Sequence, residues 1–114
     1  MGNGIWVINI KNIEVNKMKT IKDIEKIIQK HKKELEEKYG LKEIGIFGSY
    51  VRGEQLQNSD IDILVKIERP MGFIKFIRLE NHLSQILGTK VDLVTKKALK
   101  PYIGRRILEE IQYV

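Results

Sequence analysis

Cysteine is absent from this 114-residue chain, which excludes disulfides and cysteine-ligated zinc but leaves every cellular compartment open. No apolar run approaches the roughly 18 residues that span a bilayer. The opening MGNGIWVINIKNIEVNK also lacks the basic start and uninterrupted apolar stretch of a secretory signal, so a soluble, cytoplasmic protein is expected. Repeats and low-complexity segments are missing as well, and the length leaves no room for a second folded domain. A domain of this size can hold a catalytic constellation but cannot enclose a large substrate alone. Another molecule is therefore expected to supply part of the surface.

What is present is a chain with 42% hydrophobic and 32% charged residues, suited to one compact domain with a modest core. A formal net charge of +6 favours polyanionic ligands; nucleotides, nucleic acid and acidic protein faces all qualify. Residues 5 to 15 alternate loosely in β-branched character, broken by Asn9, Lys11, Asn12 and Glu14. Because Met18 opens a strongly helical segment, residues 1 to 17 read as an extension of uncertain structure ahead of a domain spanning residues 18 to 114.

From Thr20 to about Lys38, Ile21, Ile24, Ile28 and Leu35 follow helical spacing, Thr20 and Asp23 match a capping box, and Gly40 supplies a stop. The Lys and Glu residues of this helix read as a solvated face, with a Glu34–Lys38 pair worth about 0.2 to 0.5 kcal/mol. His31, on the apolar stripe, reads as a packed side chain. Short strands are expected at Glu43 to Phe47, at Asp60 to Lys66 and at Lys90 to Thr95. A second helix carries Phe73, Phe76, Ile77, Leu83 and Leu87 and ends at Gly88. Pro101 opens a last helix with Ile103, Ile107, Leu108 and Ile111 on one stripe. This order predicts an α+β (α/β-like) fold in which helices cover a small mixed sheet.

The chemistry concentrates in GSYVRGEQLQNSDID. In the second strand Ile61, Ile63 and Val65 face one way and Asp60, Asp62 and Leu64 the other. Carboxylates held that close repel each other and raise one pKa unless a cation neutralises them. Magnesium, which takes oxygen ligands and commonly uses one or two carboxylates plus substrate phosphates, answers that need. Alone, an Asp-x-Asp pair is more often the wet face of an edge strand. Here, however, a strand delivers Gly48 and Ser49 to a sharp turn where backbone N–H groups can approach phosphate closely, and a following helix would add favourable potential. No Gly-Lys-Ser/Thr follows, so this is not a Walker loop.

Gly48, Ser49, Arg52, Gly53, Ser59, Asp60 and Asp62 together resemble the signature of the DNA polymerase beta-type nucleotidyltransferase superfamily: Gly-Ser, ten residues, Asp-x-Asp. More closely, GSYVRGEQLQNSDIDILV is similar to the minimal nucleotidyltransferase (MNT) family, the antitoxin half of HEPN/MNT toxin–antitoxin pairs. The similarity runs from about Met18 to Val114 and includes KVDLVT and ILEEIQYV. It implies that Gly48 and Ser49 bind the triphosphate of ATP, and that Asp60 and Asp62 bind two magnesium ions. Asp92 would be the third carboxylate, joining the second ion and helping to take the acceptor's proton. Arg52 either anchors the loop to a carboxylate or approaches phosphate, and Ser59 either bonds the triphosphate or fixes the first metal ligand.

The implied reaction is transfer of AMP from ATP to a tyrosine of a HEPN toxin. One alternative is a non-catalytic antitoxin that neutralises its toxin by binding, against which Asp60, Asp62 and Asp92 all speak. Another is a nucleic-acid module using Lys26, Lys30, Lys32 and Lys33, but these alternate with Glu34, Glu36 and Glu37 and lack aromatic stacking platforms. Phe73, Phe76 and Tyr102 are candidates for a partner contact, with core packing the commoner fate of such residues.

Overall fold

The computed structural model describes residues 19–99 and 101–114; the broken strand pattern at residues 5 to 15 lies outside them. Helix α1, Ile21–Tyr39, starts where the capping box predicts. Asp23 N–H donates to Thr20 Oγ1 at 3.3 Å and Thr20 N–H donates to Asp23 Oδ2 at 3.0 Å, so two of the unpaired donors of the first turn are satisfied. Thr20→Ala removes one of these bonds and should cost about 1 kcal/mol, read as a lower urea midpoint at unchanged m-value. At the other end Gly40 takes the left-handed conformation, φ 69°, and donates to Glu36 C=O at 2.9 Å. His31 packs as expected, its Nδ1 2.9 Å from Ile27 O.

Strand β1, Leu41–Phe47, leads into the single turn α2, Ser49–Arg52. Strand β2 is Ile61–Ile67, helix α3 is Phe73–Leu87 and strand β3 is Val91–Thr95. A 3₁₀ turn at Lys96–Ala98 precedes helix α4, Pro101–Glu110, and strand β4, Gln112–Tyr113. The sheet order is β3-β2-β1-β4. β1 is antiparallel to β2 and β4, whereas β2 and β3 are parallel, the connection through α3 being the crossover that parallel strands require.

One face of the sheet is the core. Ile24, Ile28 and Leu35 of α1 and Leu79, Leu83 and Leu87 of α3 pack on Ile44, Ile46, Ile61, Ile63 and Val65, all at most 1% exposed. The period-two pattern of β1 and β2 and the 3.6 pattern of the helices make these two surfaces complementary.

The other face differs from expectation in an informative way. Leu64, expected beside the aspartates on the open side, is 0% exposed. The apolar stripe of α4 does not continue through Ile111: the helix stops at Glu110, and Ile111 lies on the sheet over Gly45, where an added Cβ would meet Ile111 Cδ1 at 2.7 Å. Gly45 pairs with Leu64, so the turn out of α4 closes this half of the second face and glycine provides the depth it needs. The chain then adds β4 to β1, with Val114 N–H donating to Ile44 C=O at 2.9 Å and Lys32 Nζ donating to Val114 O at 2.8 Å.

Two further expectations are revised among the described residues. Glu34 approaches His82 of α3, 3.7 Å away, and Lys38 sits over the Tyr39 ring, so the Glu34–Lys38 pair is not made. Phe73 is 78% exposed and so is not a core residue; it opens α3 at the solvent end of the helix, while Phe76, one turn on, packs against the core.

Candidate active site

β1 ends at Gly48, whose φ of 83° and ψ of −150° belong to a region that only glycine occupies readily. The chain turns there into α2, whose first bonded amides are Val51 and Arg52, donating to Gly48 C=O at 3.1 and 3.2 Å. The amides of Ser49 and Tyr50 therefore precede the bonded turn, as first-turn amides do. Gly53 ends α2 with φ 70°.

Sheet register assembles the carboxylates. Asp62 pairs with Phe47, the residue before the loop, on one side and with Asp92 on the other. Paired positions point to one face, so Asp62 sits between Asp92 and the loop. Ile61 N–H donates to Lys90 C=O at 2.9 Å, tying the start of β2 to that of β3. A Cβ on Gly48 would overlap Asp62 Oδ2; the glycine is the wall against which this carboxylate rests.

Electrostatics follow from that crowding. The Asp62 carboxyl is pushed up to about 6, first by burial and then by Asp92 and Asp60, with Arg52 opposing. The Tyr50 hydroxyl is raised too, by burial and then by Asp60. Asp60 and Asp92 are exposed. Among the described residues no group of three His, Cys, Asp or Glu side chains is placed to hold a metal ion by itself. What the sheet presents is an open, oxygen-only set: a half-buried carboxylate between two anionic neighbours. A hard divalent cation would suit that set, because it would offset the burial and the repulsion from Asp92 and Asp60 that disfavour the Asp62 carboxylate and could take its remaining ligands from phosphate and water.

Arg52 is engaged with carboxylates. Its Nε donates to Glu54 Oε1 at 2.7 Å and its Nη1 to Glu110 Oε2 and Oε1 at 3.0 and 3.1 Å, which raises its pKa above the ordinary arginine value, through Glu54 first and then Glu110. Glu110 also accepts the Gly48 N–H at 3.1 Å. The amide expected to face phosphate at Gly48 is thus committed to α4, leaving Ser49 and Tyr50 amides and the Ser49 hydroxyl for an anion. Ser59 has a local role: its Oγ accepts the Leu56 N–H at 2.8 Å and its own N–H donates to Leu56 C=O at 3.0 Å, locking the turn into β2. Glu110 is the residue that sequence reasoning missed. Its only signal was an acidic residue at a helix C-terminus, where the helix dipole disfavours it.

A groove of about 790 Å³ lies at the opposite end of the sheet, lined by Ile67, Pro70, Met71, Phe73 and Phe76 and edged by Lys66, Arg69 and Lys97. Ile67 is five residues along β2 from Asp62, roughly 17 Å at strand rise. The groove and the carboxylates are separate features, and the carboxylate end stays an open surface.

A family model described as the nucleotidyltransferase domain matches residues 28–114. The chain belongs to this family. It is 52% identical over 97 residues to protein adenylyltransferase MntA of Thermococcus cleftensis, covering 85% of this chain and 98% of that one. Among solved structures it resembles a toxin–antitoxin with AMP-PNP, at 30% identity and a TM-score of 0.65, covering 75% of this chain and 69% of that chain. It also resembles a proposed minimal nucleotidyltransferase, again at 30% identity and a TM-score of 0.65, covering 78% and 93%. The MNT resemblance of GSYVRGEQLQNSDIDILV is therefore one of descent: this is a minimal nucleotidyltransferase of the protein adenylyltransferase class, with the α+β architecture of that fold. Among the described residues no helix is long and apolar enough to cross a membrane.

Proposed function

We propose that this chain is a cytoplasmic antitoxin that transfers AMP from ATP to a tyrosine of a HEPN-family toxin with the help of magnesium. The observation that carries this reading is the position of Asp62, pressed against the Gly48 turn on one side and level with Asp92 on the other. The Ser49 hydroxyl and the amides of Ser49 and Tyr50 bind the triphosphate at its outer phosphates. Asp60, Asp62 and Asp92 would hold two magnesium ions, which when bound would neutralise charge on the entering and leaving oxygens and lower the pKa of the attacking hydroxyl.

The acceptor oxygen attacks the α-phosphorus in line. The bond to the β-phosphate oxygen breaks, pyrophosphate leaves, and Asp92, exposed at the edge of the set, helps to take the hydroxyl proton. Arg52 works through Glu54 and Glu110 to hold the loop. Direct nucleic-acid binding plays no part: Lys32 is spent on Val114 O, and the other lysines of α1 are interleaved with glutamates.

The name of the Thermococcus relative supports protein as the acceptor class, and the AMP-PNP in a toxin–antitoxin relative supports both nucleotide and partner. The acceptor must enter at the carboxylate end, which leaves the exposed Phe73 and its groove to seat the partner's body.

Incubation with α-labelled ATP, magnesium and a HEPN-family partner should place label on a partner tyrosine. EDTA and the double substitution Asp60→Asn with Asp62→Asn should both abolish it. Label that survives in the double variant refutes the metal assignment, and tight complex formation without label means that the protein neutralises by binding alone.

A further inference from the structure

We infer that Glu110 is a positioning residue for the phosphate loop, a strut from the end of α4 that fixes Gly48 and Arg52 in the arrangement used to bind nucleotide. The inference rests on the transfer reading above and adds to it a residue outside the Gly48 to Asp62 stretch.

The Glu110 carboxylate accepts the Gly48 N–H at 3.1 Å and the Arg52 Nη1 at 3.0 Å. One side chain thereby holds the first peptide of the loop and the last residue of α2. Its side chain is 27% exposed; the bond to Gly48 is part-buried, whereas the Arg52 pair lies open to solvent and is the weaker half of the strut.

The placement is electrostatically uphill in isolation. Glu109 and Glu110 end a helix whose last turn has no basic residue, where the dipole disfavours acids. Glu110 also adds to the negative charge that raises the Asp62 pKa. A neutral side chain would suit the helix better, so what retains the carboxylate is the contact with the loop.

The strut is itself anchored. Ile111 is seated on Gly45 of β1 and Gln112 pairs with Ile46, so the end of α4 cannot drift from the strand that carries Gly48. Gly48 needs such a holder, because a glycine at φ 83° has no side chain to restrict the torsions between the peptide whose N–H Glu110 holds and the next one, which carries the Ser49 amide. With the Gly48 N–H held by Glu110 and the Gly48 C=O held by the Val51 and Arg52 amides, the Ser49 and Tyr50 amides keep one orientation before ATP arrives, which is the condition for a preorganised anion site.

The test uses the full chain and ATP with magnesium. Glu110→Ala should weaken ATP binding about tenfold, the worth of one charge-assisted hydrogen bond, and should speed hydrogen exchange at the Gly48 amide. Glu110→Gln, which retains an acceptor for Gly48 but not the charge facing Arg52, should fall between it and wild type. Arg52→Ala combined with Glu110→Ala should be no weaker than the worse single change, since the two act as one unit. Glu109→Ala, which removes the same charge from the neighbouring exposed position, should bind as wild type, and thermal melts confirm that each variant is folded. If wild type binds ATP and folded Glu110→Ala binds it equally, the strut is refuted and the transfer reading stands. If wild type binds no ATP, the transfer reading fails and the strut with it.

Discussion

Asp62→Asn is expected to abolish transfer, by on the order of 1000-fold or more, and at the same time to make the protein more stable at neutral pH. Both effects have one cause. Asp62 is pressed into the sheet beside Asp92 and Asp60, and its carboxyl is raised to about 6 from the usual 3.8. The folded protein therefore binds this proton more tightly than the unfolded chain does. The sign follows from linkage: the contribution of Asp62 to stability is fully present below about pH 4 and is lost as pH rises through about 6. Asparagine carries no charge to bury, so the variant should melt above wild type at pH 8, and the gap should close on acidification to pH 4. Adding magnesium should raise the wild-type melting temperature at pH 8 and leave the variant's unchanged. Thermal melts across pH, with and without metal, beside the labelling assay, test all of this. A variant that still transfers AMP, or a stability gap indifferent to pH, would refute the account of Asp62.

The same residue shows what the sequence could reveal. Alternation in IDILVK places Asp62 and Leu64 on one face because a strand has only two faces, and the spacing from Gly48 to Asp62 follows from one strand returning antiparallel beside another. These are local regularities and survive translation into structure. That Asp92 lies level with Asp62 depends on the parallel register of β2 and β3, which no local pattern encodes; only the family resemblance pointed to it.

Where the reading went wrong, a distant segment had intervened. Leu64 was expected on the open face beside the aspartates and is buried because Ile111 returns to cover Gly45, its cross-strand partner. Ile111 itself continued the helical stripe of α4 so well that a two-residue strand beyond it left no signal. Glu110 meets Gly48 across 62 positions of sequence; it lay within ILEEIQYV, part of the family similarity, but was given no role of its own. The capping box at Thr20, by contrast, is complete within four residues and was fully legible.

Gly48→Ala should be the most damaging single methyl group that can be added to this loop, and comparison with Gly53→Ala isolates why. Both glycines have positive φ, 83° and 70°. Gly53 is in the left-handed helical region with nothing within 4 Å of an added Cβ, so alanine there should cost only about 1 kcal/mol. Gly48, with ψ of −150°, occupies a region closed to residues with a side chain, at a strain of up to about 3 kcal/mol. Its new methyl would also overlap the Asp62 carboxylate. Two responses are open. Either the loop flips to a permitted conformation, which breaks the Gly48 bond to Glu110, or the Asp62 carboxylate is pushed out of its place against the loop. Each destroys an arrangement that binding and transfer require, so activity should fall far more than the loss of stability explains. Urea denaturation should rank the two variants by about 2 kcal/mol, the difference between the two strain costs, while Gly53→Ala keeps most of its AMP transfer and Gly48→Ala loses it. Equal activity in the two would mean that the contact between Gly48 and Asp62 has no part in the chemistry.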